Sequence, residues 1–302
     1  MATVAAVDIG GTQVRAALIE GGGTILRRLA EPVERANDGP SLTAQVAGLV
    51  RRLSGEPLAL GVSLPAVIDR TAGRVEWAPN LPGWNGVPLG GELSAALGLP
   101  VALEYDGHAA VLGEHWAGTG RGVAELAFVI VGTGVGGGFI SGGQLVRGFT
   151  NLAGAGGWMS VPAPRGWDAQ SACQKGFLES LIAGPALQQA AARQLGQALA
   201  PRDLFDRASA GDPACRAIVE GALEHLGWAL VNVVSLLNPQ LVLLGGSVGL
   251  RFAGYADRLE AMIRRHAQPW SARAARVAPA GLGDDAGLLG AGRSAVELVK
   301  GA

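Results

Sequence analysis

The feature that most constrains the fold is a pattern of strand, glycine loop, strand and glycine turn that occurs twice. An apolar run over residues 3–9 leads into Gly10-Gly11-Thr12, and alternation resumes over 14–19. The same order returns 121 residues later, where Gly132-Thr133-Gly134 precedes a second alternating segment that ends at Gly142-Gly143. A unit that repeats in one register, with apolar residues on both flanks, is typical of a duplicated half-fold.

Strands and helices then alternate in both halves of the chain. Short apolar runs predict buried strands, and apolar residues at helical spacing predict helices. The predicted strands cover 58–62, 101–103 and 241–244, and the predicted helices cover 108–116, 178–195, 217–237, 252–265 and 285–299. This alternation predicts an α/β fold with a ligand in the crevice between the halves. We expect an N-terminal α/β domain over 1–117, onto which the last helix, about 286–302, packs back, and a larger domain over 118–285.

Composition excludes several classes of protein. Lys and Arg total 24 against 25 Asp and Glu, so the net charge of −1 argues against binding of nucleic acid. No run of 18 apolar residues predicts a membrane span. The two cysteines, Cys173 and Cys215, cannot build a disulfide framework. We therefore expect a cytoplasmic protein that binds neither nucleic acid nor membrane.

Asp8 and the two glycine loops are the first candidates for chemistry. Glycine loops after a strand let backbone N–H groups turn toward an anion, and the Thr12 hydroxyl adds a donor. Asp8 could hold Mg²⁺ through water, because hard oxygen ligands suit that ion. Alone, the loop after Asp8 is better explained as a tight hairpin. With Gly132-Thr133-Gly134 as its counterpart, two phosphate loops are the better interpretation, although neither is a Walker A sequence.

Three other positions each allow two interpretations. Asp106 follows a strand and precedes a helix, so it is either a base that accepts a proton from an alcohol or the N-cap of that helix. Gly245-Gly246 is either an ordinary strand-to-helix turn or a flat wall for a nucleotide base or ribose. Trp158, in a loop-like segment, is either a stacking surface for a sugar or part of the core.

The assembled pattern resembles the ROK family of sugar kinases within the actin-like ATPase superfamily. The stretches that carry the resemblance span nearly the whole chain. They are Asp8-Ile9-Gly10-Gly11-Thr12, Ala78 to Trp84, Glu104-Tyr105-Asp106, Val131 to Gly138, Asn238-Pro239, Leu243 to Gly246, and Asp285 to Ala291.

The resemblance implies a two-domain actin-like (ribonuclease H-like) fold with an interdomain cleft, and ATP-dependent phosphorylation of a sugar hydroxyl. Asp106 falls on the family's catalytic base, and Asp8 on its magnesium position. The phosphate and adenosine positions fall on Gly10, Gly11, Thr12, Gly132, Thr133, Gly134, Gly245 and Gly246. Asn80 and Glu179 fall on positions that contact sugar. The resemblance also implies a homodimer.

The chain departs from the family pattern at the sugar end. Tyr105 stands where the family usually has Asn, and Ala155 and Trp158 stand where it has a Glu and a His that bind sugar hydroxyls. The family's zinc loop is also altered, because Gln170, Ala172 and Phe177 occupy its cysteine positions. We therefore expect no structural zinc, and a substrate other than plain glucose: a substituted or less hydroxylated sugar or polyol.

Two functions from different classes follow. The first is a kinase for a sugar or sugar-like polyol, which uses ATP and Mg²⁺. The second is a sensor that binds nucleotide or sugar without turnover. A third possibility, a transcriptional repressor of the same family, is not expected, because only seven residues precede Asp8 and the net charge is −1.

Overall fold

The computed structural model describes residues 2–33, 39–78, 81, 83–163 and 175–301. The strands are β1 (Thr3–Ile9), β2 (Gln13–Glu20), β3 (Ile25–Pro32), β4 (Leu60–Leu64), β5 (Val67–Asp69), β6 (Arg74–Trp77), β7 (Val101–Tyr105), β8 (Leu126–Val131), β9 (Val135–Ser141), β10 (Gln144–Val146), β11 (Leu241–Gly245) and β12 (Arg276–Pro279). The helices are α1 (Gly39–Arg52), α2 (Leu89–Leu97), α3 (Asp106–Ala117), α4 (Glu179–Ile182), α5 (Gly184–Leu195), α6 (Pro201–Ser209), α7 (Pro213–Leu237), α8 (Gly246–Ala253), α9 (Ala256–His266), α10 (Pro269–Ala274) and α11 (Ala286–Gly301), with 3₁₀ turns at Gly156–Trp158 and Gly283–Asp285.

The chain forms two compact units. Unit 1 comprises Met1–Gly122, Leu145–Ala153 and Asp284–Ala302, and unit 2 comprises Val123–Gln144 and Gly154–Gly283. Each unit has its own cluster of buried apolar side chains. The segment Leu145–Ala153 therefore belongs with the N-terminal part of the chain although it begins within β10.

The two units contain sheets of the same topology. The strand order is β3-β2-β1-β4-β7 in unit 1 and β10-β9-β8-β11-β12 in unit 2. In each sheet a central strand pairs antiparallel with the strand that follows it, and parallel with a later one. The strands that flank the two glycine loops are the equivalent pairs β1–β2 and β8–β9. The duplicated half-fold and the mixed α/β class are thus confirmed.

Helix α11 packs onto the sheet of unit 1. It contacts α3 and the strands β1, β4 and β7. The approach to α3 is close enough that a Cβ atom at Gly290 would overlap the carbonyl of Ala109. Small residues along α11 therefore let two helices lie side by side on one sheet, and this arrangement brings Gly287, near the start of α11, against the end of β1.

Two helix predictions are wrong. The segment 178–195 is two helices, because Ala183 is extended and the Gly184 N–H leaves the helix to donate to the Gly132 carbonyl, 2.8 Å away. Pro185 then opens α5, as proline does at a first turn. The segment 252–265 is likewise divided, between α8 and α9.

Helix α7 is the long core helix of unit 2. Among the described residues it is the one helix with the length and hydropathy of a membrane span, and 61% of its most apolar window is buried in the structure. Its buried side chains belong to the apolar cluster of unit 2. That burial explains the hydropathy of the helix as core packing.

Candidate active site

In unit 1 the parallel strands β1, β4 and β7 bring polar side chains to one edge of the sheet. Asp8 pairs in register with Ser63, and the next residue along β4, Leu64, pairs with Tyr105 at the end of β7. Asp106 comes directly after β7. The carboxyl ends of neighbouring parallel strands thus place Asp8 and Asp106 at the same edge, where α/β sheets bind ligands.

Asp106 is the first residue of α3 and not its N-cap, which is Tyr105. The Asp106 carboxylate accepts a hydrogen bond from the Gly107 N–H at 2.7 Å. The pKa of Asp106 is raised to about 7, mainly by burial and also by the negative charge of Asp8, while the Gly107 hydrogen bond and His108 oppose the shift. A carboxylate with a pKa near neutrality is suited to accept a proton during a reaction.

Asp8 lies under the start of α11. Its side chain is 18% exposed, and Arg15 Nη1 lies 3.9 Å from its Oδ2. Burial raises the pKa of Asp8, whereas the Ser63 hydroxyl and the Arg15 charge lower it. A Cβ atom at Gly287 would come within 2.8 Å of Asp8 Oδ1. Glycine at that position therefore leaves one carboxylate oxygen uncovered by a side chain.

The first glycine loop is a tight turn. The Gly10 N–H donates to the Gln13 carbonyl at 2.9 Å, and Gly11 and Thr12 are exposed at the tip. The loop therefore presents backbone and the Thr12 hydroxyl at the end of the strand that carries Asp8.

In unit 2 the structure brings the second glycine loop beside Gly245-Gly246. This follows from the parallel pairing of β8 and β11, in which Gly245 lies opposite Ile130. Gly246 has a φ of +77°, and a Cβ atom there would lie 2.5 Å from the Val131 carbonyl oxygen. The nearest atom to a Cβ at Gly132 would be Ser247 Oγ, at 4.0 Å. The second glycine loop and Gly245-Gly246 thus form one backbone-lined surface within unit 2.

Glu179 contacts the second glycine loop. Its Oε2 accepts a hydrogen bond from the Val135 N–H at 2.8 Å, and a Cβ at Gly134 would approach that oxygen to 2.8 Å. Burial raises the pKa of Glu179. Trp158 ends the neighbouring 3₁₀ turn with 53% of its surface exposed. Unit 2 therefore places Glu179 at the loop and leaves the Trp158 indole open to solvent.

The remaining sugar-contact candidates differ in what surrounds them. The Tyr105 ring packs edge-to-face on His108, with ring centroids 5.2 Å apart. Asn80 lies outside the described residues, as do Gln170 and Ala172 of the altered zinc loop. Phe177 packs against the apolar core of unit 2.

The sequence analysis missed a buried ionic cluster next to Asp106. Glu104 is fully buried, and its Oε2 lies 2.9 Å from Arg147 Nη2 and 3.2 Å from Arg70 Nη1. Burial by itself would raise the pKa of Glu104, but His108 and the two arginines outweigh it and lower that pKa. The available signal was a single acidic residue inside an otherwise apolar strand, which is rare without partners.

The chain is similar along nearly its whole length to proteins of one family. The ROK family model matches residues 4–297. A ROK hexokinase from Thermus thermophilus is 32% identical, with a TM-score of 0.85 over 99% of this chain and 100% of that one. A glucokinase from Halalkalibacterium halodurans is 30% identical over 311 residues, which cover 95% of this chain and 92% of the relative.

A third relative was solved with ligands. It is a ROK family glucokinase from Streptomyces griseus in complex with glucose and AMPPNP, 26% identical, with a TM-score of 0.76 over 98% of this chain and 99% of that one. The predicted family and fold are confirmed by these matches: the chain belongs to the ROK family and has the actin-like ATPase fold.

Proposed function

We propose that this protein is an ATP-dependent kinase that phosphorylates a hydroxyl group of a sugar or sugar-like polyol, with Asp106 as general base. The observation that carries the proposal is the Asp106 carboxylate at the end of β7, whose pKa burial raises to about 7. The relatives named glucokinase and hexokinase support the class of reaction.

The chemistry requires few protein groups. Asp106 takes the proton of the sugar hydroxyl as that oxygen forms a bond to the terminal phosphorus of the nucleotide. The bond between that phosphorus and the bridging oxygen breaks, and ADP leaves. Phosphoryl transfer depends mainly on positioning and charge stabilisation, which backbone N–H groups of glycine loops can supply. We assign that role to Gly10, Gly11 and Thr12, and to Gly132, Thr133 and Gly134, with Gly245-Gly246 beside the nucleoside.

The residues at the end of β1 fit a magnesium ion that arrives with the nucleotide. Mg²⁺ commonly binds one or two carboxylates together with water and substrate phosphates. Asp8 offers one carboxylate with an oxygen that Gly287 leaves uncovered, and the described residues contain no group of three or more His, Cys, Asp or Glu that could hold a metal. When bound, the ion would neutralise phosphate charge. The AMPPNP complex of the Streptomyces relative supports a nucleotide as donor.

The altered sugar end leads us to propose a substrate other than plain glucose. Ala155 and Trp158 offer a methyl group and a half-exposed indole where hydroxyl-binding side chains are implied. An indole face favours an apolar substituent or the apolar face of a sugar ring. We also propose a cytoplasmic homodimer, in agreement with the family resemblance.

The test is a coupled assay of ADP release with the purified protein and a panel of hexoses, cyclitols and glycosides. We expect sugar-dependent release with at least one substituted sugar, and a large loss in Asp106→Asn. Measurable ATP binding without release for any panel member would overturn the kinase and favour the sensor.

A further inference from the structure

His108 is a buried imidazole two residues after Asp106, and its contacts join separate parts of unit 1. Its Nε2 lies 2.7 Å from the carbonyl oxygen of Ala153, so this nitrogen carries the proton and donates it. Its Nδ1 faces Glu104 Oε1 at 3.4 Å, and its ring packs against the Tyr105 ring. The side chain is fully buried. His108 is therefore shielded from solvent, and its side chain contacts Glu104, Tyr105 and Ala153.

The segment Leu145–Ala153 is attached to this region at two points. Arg147 donates to Glu104 Oε2 at 2.9 Å, and the Ala153 carbonyl accepts from His108. Glu104 is the penultimate residue of β7, and His108 lies in the first turn of α3. The two attachments thus lie on either side of Tyr105 and Asp106, at the strand-to-helix junction.

The attachment by His108 is the shorter and less redundant of the two. Glu104 Oε2 has a second arginine, Arg70, and the Ser294 hydroxyl, which donates at 3.2 Å. The half-buried Ala153 carbonyl accepts from the fully buried His108 Nε2, so loss of the imidazole removes its buried donor. The residue after Ala153 is Gly154, which begins the stretch through Trp158 that the family resemblance implies in sugar binding.

We propose that His108 is a positioning residue for phosphoryl transfer, because it holds the segment Leu145–Ala153 against the junction that carries Tyr105 and Asp106. This inference rests on the proposed kinase activity. It assigns His108 no contact with substrate: its effect passes through the end of the segment and through the Tyr105 ring.

The two nitrogens of His108 can be tested separately. Gln carries its amide nitrogen near the position of imidazole Nε2 and Asn near that of Nδ1, so His108→Gln keeps a donor for Ala153 and His108→Asn loses it. We expect His108→Asn to lower kcat/KM for the sugar about tenfold or more, the effect of one lost hydrogen bond. The KM for ATP should stay within about twofold, and His108→Gln should stay within about threefold of the wild type.

Ser294→Ala is the matched control, since it removes a hydrogen bond from the same cluster at Glu104 Oε2, whereas His108 faces Oε1. We expect it to lower Tm while kcat/KM stays near the wild-type value. If His108→Asn behaves like Ser294→Ala, with lower Tm and unchanged kinetics, the role is structural and the proposal is wrong.

Two further outcomes also test the proposed role of His108. If His108→Asn does not fold, His108→Gln carries the test, and a tenfold loss in folded His108→Gln overturns the proposal. If the wild-type protein releases no ADP with any sugar, it is the kinase assignment that fails. Amide hydrogen exchange over residues 147–153 then tests His108 independently, with faster exchange expected in His108→Asn than in His108→Gln.

Discussion

At the scale of a single residue, Asp106 has both the position and the proton affinity that a general base requires. It lies at the carboxyl end of a parallel strand, and burial raises its pKa to about 7. As a general base it must be ionised, so kcat/KM should rise with pH and level off above about pH 7. Asp106→Asn should lower kcat by roughly 10²–10⁴-fold and remove the Asp106-dependent limb of the profile. A folded Asp106→Asn protein with near-wild-type turnover would exclude Asp106 as the base.

The raised pKa of Asp106 also means that its ionised form destabilises the folded protein. The folded state binds the Asp106 proton up to about pH 7, whereas the unfolded chain releases it near pH 4, so the free energy of unfolding falls as pH rises between these values. Asp106→Asn removes the buried charge and keeps an oxygen for the Gly107 N–H. We expect it to stabilise the protein at pH 8 by on the order of 1–4 kcal/mol, and by much less at pH 5.

Asp212 provides the control with the opposite sign. It caps α7 by accepting from the Ala214 and Cys215 N–H groups, and these bonds together with Arg207 lower its pKa to about 2. Its contribution is present above about pH 4 and is lost as pH falls through about 2. Thermal melts of Asp212→Asn should therefore show a loss of stability at pH 7 that shrinks at pH 3. Parallel pH dependence of the two variants would contradict the assignment for Asp106.

At the scale of elements, the close pairing of α3 and α11 packs against the sheet of unit 1 that carries Asp8. A Cβ at Gly290 would overlap the Ala109 carbonyl, so Gly290→Ala must push the helices apart. We expect a loss of about 3 kcal/mol or more in the free energy of unfolding. Gly221→Ala in α7 is the control, because a Cβ there meets no atom within 4 Å. It should stabilise by roughly 0.5–1 kcal/mol. Equal denaturant midpoints for the two variants would show that the helices adjust without cost.

The segment at the position of the family's zinc loop leads to a second prediction at this scale. Phe177 packs against the core of unit 2, and Leu178 next to it is fully buried. Apolar packing can therefore anchor the end of this segment without a metal. We expect no tightly bound zinc by elemental analysis, and a Tm that chelators leave unchanged. About one zinc per chain would refute this.

At the scale of the whole molecule, the family resemblance implies that the chain keeps the phosphate-binding loops and changes the sugar-binding side chains. Each hydroxyl buried without its partner costs on the order of 1–3 kcal/mol, so two lost partners could weaken glucose by a factor of roughly ten to several thousand. We predict that glucose is a poor substrate, and that Ala155→Glu combined with Trp158→His improves its kcat/KM. Trp270→His, which changes another exposed tryptophan of unit 2, should have no effect. An unmodified protein with a glucose KM in the usual range of 1 μM to 1 mM would contradict this.

The duplicated α/β architecture was readable from the sequence because its signals are local. Strand alternation and the glycine loops depend on neighbours in the chain, and the 121-residue repeat is a match between two such local patterns; the equivalent sheets confirm them. Asp8, Asp106 and the loops could also be named as candidates, because they lie at or just after the ends of strands, where such folds bind ligands.

Tertiary structure alone decided the properties that depend on residues distant in sequence. The pKa of Asp106 comes from its burial and from Asp8, and the break at Ala183 goes with a hydrogen bond from Gly184 to Gly132. Glu104 and His108 make their contacts with Arg147 and Ala153, which follow three strands of the second sheet in the chain and yet belong to unit 1. Burial, charge and close approach are sums over neighbours in space, so a linear pattern can mark which residues are polar but not which of them meet.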